Sequence, residues 1–182
     1  MPVLRPFVED LLTAARLMAG VASGSISADL PADLEDARTA LGPVGREREL
    51  YDALISAPAL RDATEALFRD GHYAEAVEAG FKALNSFVRK RSGLTLDGVT
   101  LFEQAFSEQK PRLRLNRLRS RSDLDEQIGF QRIMAGCITG IRNPRAHDHR
   151  RTDAPEEALE MLVMANHLFR RAAGATRTRA KR

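Results

Sequence analysis

Cysteine is nearly missing from the 182-residue sequence. Cys137 alone can neither close an internal disulfide nor build a cysteine-based metal site, which predicts a reducing compartment and no redox chemistry. Long apolar runs are missing too. The longest uncharged stretch, Leu17 to Ala28, is broken by Gly20, Ser23, Gly24, Ser25 and Ser27 and cannot make a continuous bilayer span. Arg5, Glu9, Asp10 and Arg16 run through the first apolar residues, which is wrong for a secretory signal, so a cytoplasmic protein with no membrane partner is expected. No Walker A loop and no Gly-x-Gly-x-x-Gly occurs, and neither a triphosphate nor a dinucleotide fold is signalled. The four histidines, at 72, 147, 149 and 167, include one close pair and no carboxylate-rich ligand box, so neither a metal nor a cofactor is expected. No window alternates cleanly enough to demand a sheet.

With 43% hydrophobic and 29% charged residues, the chain can bury a core and keep a polar surface. Its charge is uneven. Residues 1–57 carry five Arg and nine Asp or Glu, net −4, whereas residues 58–182 carry 23 basic and 16 acidic residues, net +7. A basic surface confined to one part of the chain points to an anionic partner such as nucleic acid.

Apolar residues recur at helical spacing almost throughout, predicting an all-α fold. Residues 1–57 read as an acidic helical appendage: a helix through Phe7, Leu11, Leu12, Ala15 and Met18, a Gly/Ser linker to Pro31, and helices over Ala32–Leu41 and Arg46–Ile55. Pro58 suits a helix first turn, and Gly71 closes that helix after Phe68. The next runs from Tyr73 through Ala76, Val77, Phe81, Leu84 and Val88 to Gly93, and a short one covers Val99–Phe106. Ser122-Asp123-Leu124-Asp125 reads as a capping box opening a helix through Ile128, Ile133, Cys137, Ile138 and Ile141 that stops at Arg142-Asn143-Pro144. Asp153, Pro155 and Glu156 start the last helix. Residues 58–173 form the expected helical bundle, four main helices and a short fifth, and 174–182 a basic flexible tail.

Gly140-Ile141-Arg142-Asn143-Pro144-Arg145-Ala146-His147-Asp148 stands out because it joins arginine and histidine at a helix end. A guanidinium stays charged and holds phosphate oxygens, while an imidazole exchanges protons near neutral pH. RNA cleavage needs both: the 2′-hydroxyl attacks the adjacent phosphate once a base removes its proton and a cation stabilises the phosphoryl oxygens, without metal. Spacing alone says little, since 24 Arg and four His give Arg-x4-His by chance roughly 0.5 times in this length.

The order of motifs says more. Asp70-Gly71-His72-Tyr73, Phe81-Lys82-Ala83-Leu84-Asn85, Asp125-Glu126-Gln127-Ile128-Gly129-Phe130 and Gly140 to His147 together resemble the HEPN superfamily, most closely its phage-associated Ymh-like branch, over about residues 59–172. The hallmark of that superfamily is Arg, a polar residue and a His four to six positions after the Arg, matched here by Arg142, Asn143 and His147. The resemblance implies a four-helix-bundle homodimer whose paired motifs cut RNA without metal, as a toxin or phage-defence effector under an antitoxin or regulatory partner. Arg142 would hold phosphate, His147 move protons and Asn143 orient either; His149 also satisfies the looser spacing. Other relatives serve as catalytically silent dimerisation and binding modules, which is the alternative reading.

Beyond the motif, Arg145 and the run Lys110, Arg112, Arg114, Arg117, Arg119 and Arg121 are candidate RNA contacts. Leucines rather than aromatics interleave the run, so any contact would be electrostatic and indifferent to base sequence. Asp148, Glu78 and Lys82 are candidate supports, the last two lying one helical turn apart. Cys137 and Met134 are expected in the core.

Overall fold

Prolines and glycines set most of the helix limits. The computed structural model describes residues 46–148 and 150–178, and the chain divides into two units, 1–50 and 51–182. Of the first unit only residues 46–50 are described, and they are helical. The helices expected through Phe7–Met18 and Ala32–Leu41, and the linker, lie outside the described residues. After helical residues 51–54 the second unit contains α1 (Pro58–Arg69), α2 (Tyr73–Ser92), α3 (Gly98–Ala105), strand β1 (Leu113–Arg114), α4 (Arg121–Cys137), a π-helical segment (Ile138–Arg142), α5 (Asn143–His147), α6 (Pro155–Gly174) and strand β2 (Thr176–Arg177). The fold is all-α, with one two-residue antiparallel pair that no periodicity announces.

Pro58 and Pro155 stand in the first turns of α1 and α6, where a missing N–H leaves no bond unmade. α2 ends at Gly93, whose left-handed φ of 70° lets its N–H return to Arg89 O, and Arg89, Lys90 and Arg91 complement the negative end of the helix. This helix is central, packing against α1, α3, the π segment, α5 and α6. Val77, Phe81, Leu84 and Val88 of α2 are buried with Leu60 and Phe68 of α1, Leu101 and Phe102 of α3, and Leu162 and Phe169 of α6. Each such side chain contributes roughly 1.5–3 kcal/mol. A Cβ at Gly80 would lie 3.0 Å from both Leu162 Cδ2 and Leu60 Cδ1, so glycine there allows three helices to meet.

Several sequence expectations shift. α4 starts two residues earlier than the Ser122 box implies, because Ser120 is the N-cap and its Oγ accepts from Asp123 N at 3.0 Å. Ile133, expected on the buried face of α4, is 47% exposed, while polar Gln127 is fully buried. Bonding explains that burial: Nε2 donates to Phe106 O and Leu113 O, and Oε1 accepts from Leu115 N, each at 3.0 Å. The expected flexible tail is anchored as far as Thr178. α6 continues to Gly174, Thr176–Arg177 pairs with β1, Arg91 Nη2 donates to Ala175 O (2.7 Å) and Thr178 N to Arg112 O (2.9 Å).

The body also begins before Pro58. Tyr51 stacks on Phe68 with ring centroids 4.8 Å apart, and its hydroxyl bonds Thr64 Oγ1 at 2.7 Å. From α6, Asn166 Oδ1 accepts from Ser56 N (3.0 Å) and Ala57 N (2.9 Å), and Nδ2 donates to Leu54 O (3.0 Å). One amide thereby ties the segment 54–57 to the last helix. Asn166→Ala should lower the unfolding free energy by about 2–3 kcal/mol, from three broken hydrogen bonds and a cavity. Urea denaturation measures it, and a loss under about 0.5 kcal/mol would contradict this role.

Candidate functional site

A proline inside a helix lacks the N–H that would bond four residues back, and its ring collides with that carbonyl. Pro144 is so placed, yet the helix does not stop as the sequence predicts. Asn143 N–H bonds Ile138 O, five residues back, and Ile138–Arg142 wind as a π helix before α5 begins with Pro144 in its first turn. The wider turn absorbs the proline, and Arg142 is its last residue.

Arg145 completes the arrangement from inside. Its side chain is 2% exposed and that of Asp153 1%, with Nε bonded to Asp153 Oδ2 at 2.6 Å and Nη1 donating to Ile141 O at 2.8 Å. Arg151 Nε lies 3.3 Å from the other carboxylate oxygen. Arg145 is thus placed in the interior, with Nη2 alone lacking a hydrogen-bond partner, and not on the surface where the expected RNA contact would need it. Asp153 is likewise the partner of Arg145 rather than a helix cap; Ala154 holds the N-cap position of α6 without a side-chain bond.

Arg142 opens onto a cleft of about 140 Å³ between α2, the start of α3 and the π segment. Lys82, Asn85, Ser86 and Arg89 of α2 line it with Asp97, Gly98, Ile138 and Arg142. Lys82, Arg89 and Arg142 give three positive charges against the one carboxylate of Asp97. Asn85 shapes the floor: its Oδ1 accepts from Gly98 N at 2.9 Å and its Nδ2 donates to Asp97 Oδ1. Arg89 Nη1 stands 3.7 Å from the same oxygen. Asn85 closes the Phe81-Lys82-Ala83-Leu84-Asn85 motif, whereas Ser86 and Arg89 carry no motif that marks them in the sequence, although the three follow Lys82 at three, four and seven residues, the spacing of one helix face.

Asn143 Oδ1 accepts a hydrogen bond from Arg142 Nη1 at 3.2 Å. His147 ends α5, exposed and without a hydrogen-bond partner among the described residues; it does not line the cleft. Asp148 follows it in an exposed turn, where its Oδ1 accepts from Arg150 N at 3.0 Å. His149 lies outside the described residues. Glu78 sits one turn before Lys82 on α2, forms no ion pair with it and does not line the cleft. The chain thus brings together Arg142, Asn143 and Lys82, and leaves His147, Asp148 and Glu78 apart from them.

A family model described as a protein of unknown function, Hypoth_ymh, matches residues 56–172. The chain belongs to that family. No curated protein and no solved structure matches it. The Hypoth_ymh span holds the whole motif, the cleft, the Arg145–Asp153 pair and the basic segment before α4.

That segment is only partly free. Lys110 is exposed, Arg112 Nε reaches Ser92 O at 3.5 Å, and Arg121, on the first turn of α4, pairs with Asp125 at 3.1 Å. Arg114, Arg117 and Arg119 share a second cavity, away from the motif. Cys137 is buried with its Sγ 3.7 Å from Met164 Sδ, and burial pushes its thiol up to about 11. Among the described residues no group of three or more His, Cys, Asp or Glu can hold a metal ion, and no helix is long and apolar enough to cross a membrane.

Two outcomes follow from these burials. Arg145→Ala leaves the buried Asp153 with only the half-exposed Arg151 as partner and should cost about 3 kcal/mol in urea unfolding, whereas Arg145→Met with Asp153→Leu should cost much less. Equal losses would mean that the charge pair is not what holds the turn. Cys137 should resist iodoacetamide at pH 8 in the folded protein and react once unfolded. Because its folded pKa lies above the unfolded one, this thiol's contribution to stability is complete below about pH 8.5 and declines as pH rises toward 11.

Proposed function

We propose that this chain is a metal-independent endoribonuclease of HEPN type, acting as a homodimer. The observation that carries the reading is the placement of Arg142 at the end of a π segment, oriented by Asn143 and facing a cleft with Lys82 and Arg89. Guanidinium and ammonium groups there suit a phosphodiester, and their fixed positions suit the charge that gathers on its oxygens during attack. His147 takes the proton of the 2′-hydroxyl. The 2′-oxygen bonds to phosphorus, the bond to the 5′-oxygen breaks and that oxygen leaves with the proton returned by the His147 imidazolium, so the products carry a 2′,3′-cyclic phosphate and a 5′-hydroxyl. Arg142 holds the non-bridging oxygens throughout.

His147 stands off the cleft of its own chain, which favours a site completed across a dimer. Ile133 and Met164, the large apolar side chains exposed on α4 and α6, supply surface for such pairing. The same position of His147 also favours the second reading, a dimeric RNA-binding module that cuts nothing.

Cleavage of labelled RNA and matched DNA in excess EDTA separates the two. RNA alone should be cut, leaving cyclic phosphate ends, and His147→Ala should lower the rate by about 10²–10⁴-fold. Arg142→Ala should act comparably, about 10²–10³-fold, with unfolding midpoints close to the wild type. Mixing the two inactive variants should restore part of the activity if one copy lends its arginine and the other its histidine. RNA left intact by the wild type, but bound more weakly by Arg142→Ala, would establish the binding module instead.

A further inference from the structure

The second basic cavity lies at the opposite end of α4 from the motif. α4 and the π segment cover residues 121–142, on the order of 30 Å at about 1.5 Å per residue. The cavity, about 380 Å³, is lined by Arg114, Asn116, Arg117, Arg119 and Thr176. Its carboxylate neighbours are already engaged. Glu126 bonds Asn116 Nδ2 at 2.7 Å and Arg171 Nη2 at 2.5 Å, and Asp123 Oδ2 accepts from Arg119 N at 2.9 Å. Among the described residues, none of Arg114, Arg117 and Arg119 makes an ion pair.

The loop that carries these arginines is held in a fixed shape. Arg114 stands half-buried on β1, its Nε shielded and without an acceptor, as the Nε atoms of Arg91 and Arg171 are. Leu118, between the other two arginines, adopts φ 53°, a left-handed conformation that is unfavourable for a branched side chain. Asn116 enforces it: Oδ1 accepts from Leu118 N at 2.9 Å, while Nδ2 is tied to Asp123 O at 2.8 Å as well as to Glu126. The turn that results sets Arg117 and Arg119 on the wall that Arg114 and Thr176 complete through the β1–β2 pairing.

We propose that this cavity is an anion site that holds a backbone phosphate of single-stranded nucleic acid, remote from the Arg142 cleft. Three guanidinia with no acid among the lining residues select phosphate oxygens, and without an aromatic side chain in the lining there is nothing to stack a base, so recognition is of charge and not of sequence. The site does not require that the chain cleave anything.

The test is binding of a fluorescent 12-nucleotide 2′-O-methyl RNA to the full chain, read by anisotropy across a salt series. Such RNA has no free 2′-hydroxyl, so binding is read whether or not the protein is a ribonuclease. Arg117→Gln with Arg119→Gln, both exposed and outside the core, should weaken binding about tenfold and lower the slope of log K against log salt by about 0.7, the share of the one phosphate that is no longer neutralised. Arg132→Gln with Arg170→Gln, exposed on α4 and α6 and lining neither cavity, removes the same charge elsewhere and should change affinity less than twofold. An equal loss of affinity from both pairs would overturn the proposal in favour of diffuse attraction, and no loss from the first pair would overturn it outright. Inorganic phosphate, titrated while the Arg Nε–H resonances are followed by NMR, should shift Arg114 only in the millimolar range and displace the oligonucleotide. Tight phosphate binding that leaves the oligonucleotide bound would assign the cavity to a free anion and overturn the nucleic-acid assignment.

Discussion

Everything at the motif depends on a proline that sits where a helix must continue. Pro144 cannot donate to the carbonyl four residues back, a loss that costs roughly 3 kcal/mol in a regular helix interior. The chain answers with one wide turn, Ile138–Arg142, and with a charged donor from Arg145 to Ile141 O, a bond of a kind worth about 1.5–3 kcal/mol. These magnitudes are comparable, so the buried Arg145–Asp153 pair is what allows the wide turn to persist. Asp153 in turn fixes the connection from α5 to α6. Arg142 inherits its direction from this chain of constraints, as the last residue of the turn that the proline made necessary.

The cleft opposite Arg142 is a by-product of how α2 is used. One face of α2 is consumed by Val77, Phe81, Leu84 and Val88, and the helix touches five other elements. What is left over is the stripe of Lys82, Asn85, Ser86 and Arg89, which meets the π segment because α2 packs on it. Asn85 belongs to both sides, 7% exposed and bonded to the start of α3. The same helix therefore supplies core and candidate site, and a substitution at Asn85 would disturb α3 before it disturbed any ligand.

How much of this is legible in the sequence depends on how local the signal is. Pro58, Gly71, Gly93 and Pro155 each act through their own backbone and mark helix limits within a residue or two. Pro144 is equally local but ambiguous, since a stop and a π turn begin from the same clash. Arg145 misleads because a cation beside an Arg-x4-His motif looks like a phosphate ligand, and nothing in the sequence tells that Asp153, across a loop, neutralises it. The pairing of Leu113–Arg114 with Thr176–Arg177 joins residues more than sixty apart through two residues per strand, too few to show a period. Lys82 is legible as a member of the Phe81–Asn85 motif and as a residue one turn from Glu78; the cleft it lines requires knowing which way α2 faces.

The two basic sites differ in what holds their cations, and that difference bears on their roles. Around Arg142 the charges are tempered by Asp97 and oriented by Asn85 and Asn143, so a phosphate there is met by few groups with restricted geometry. Around Arg117 and Arg119 no carboxylate lines the cavity, and the fixed element is the backbone turn at Leu118 rather than the guanidinium heads. Restricted geometry suits chemistry on one phosphodiester, because stabilisation must favour the transition state over the ground state. Exposed heads on a fixed turn suit grip without discrimination. If the proposed far site holds a single strand, α4 as the spacer would keep that strand at high effective concentration near the cleft, with no contact needed along the roughly 30 Å between.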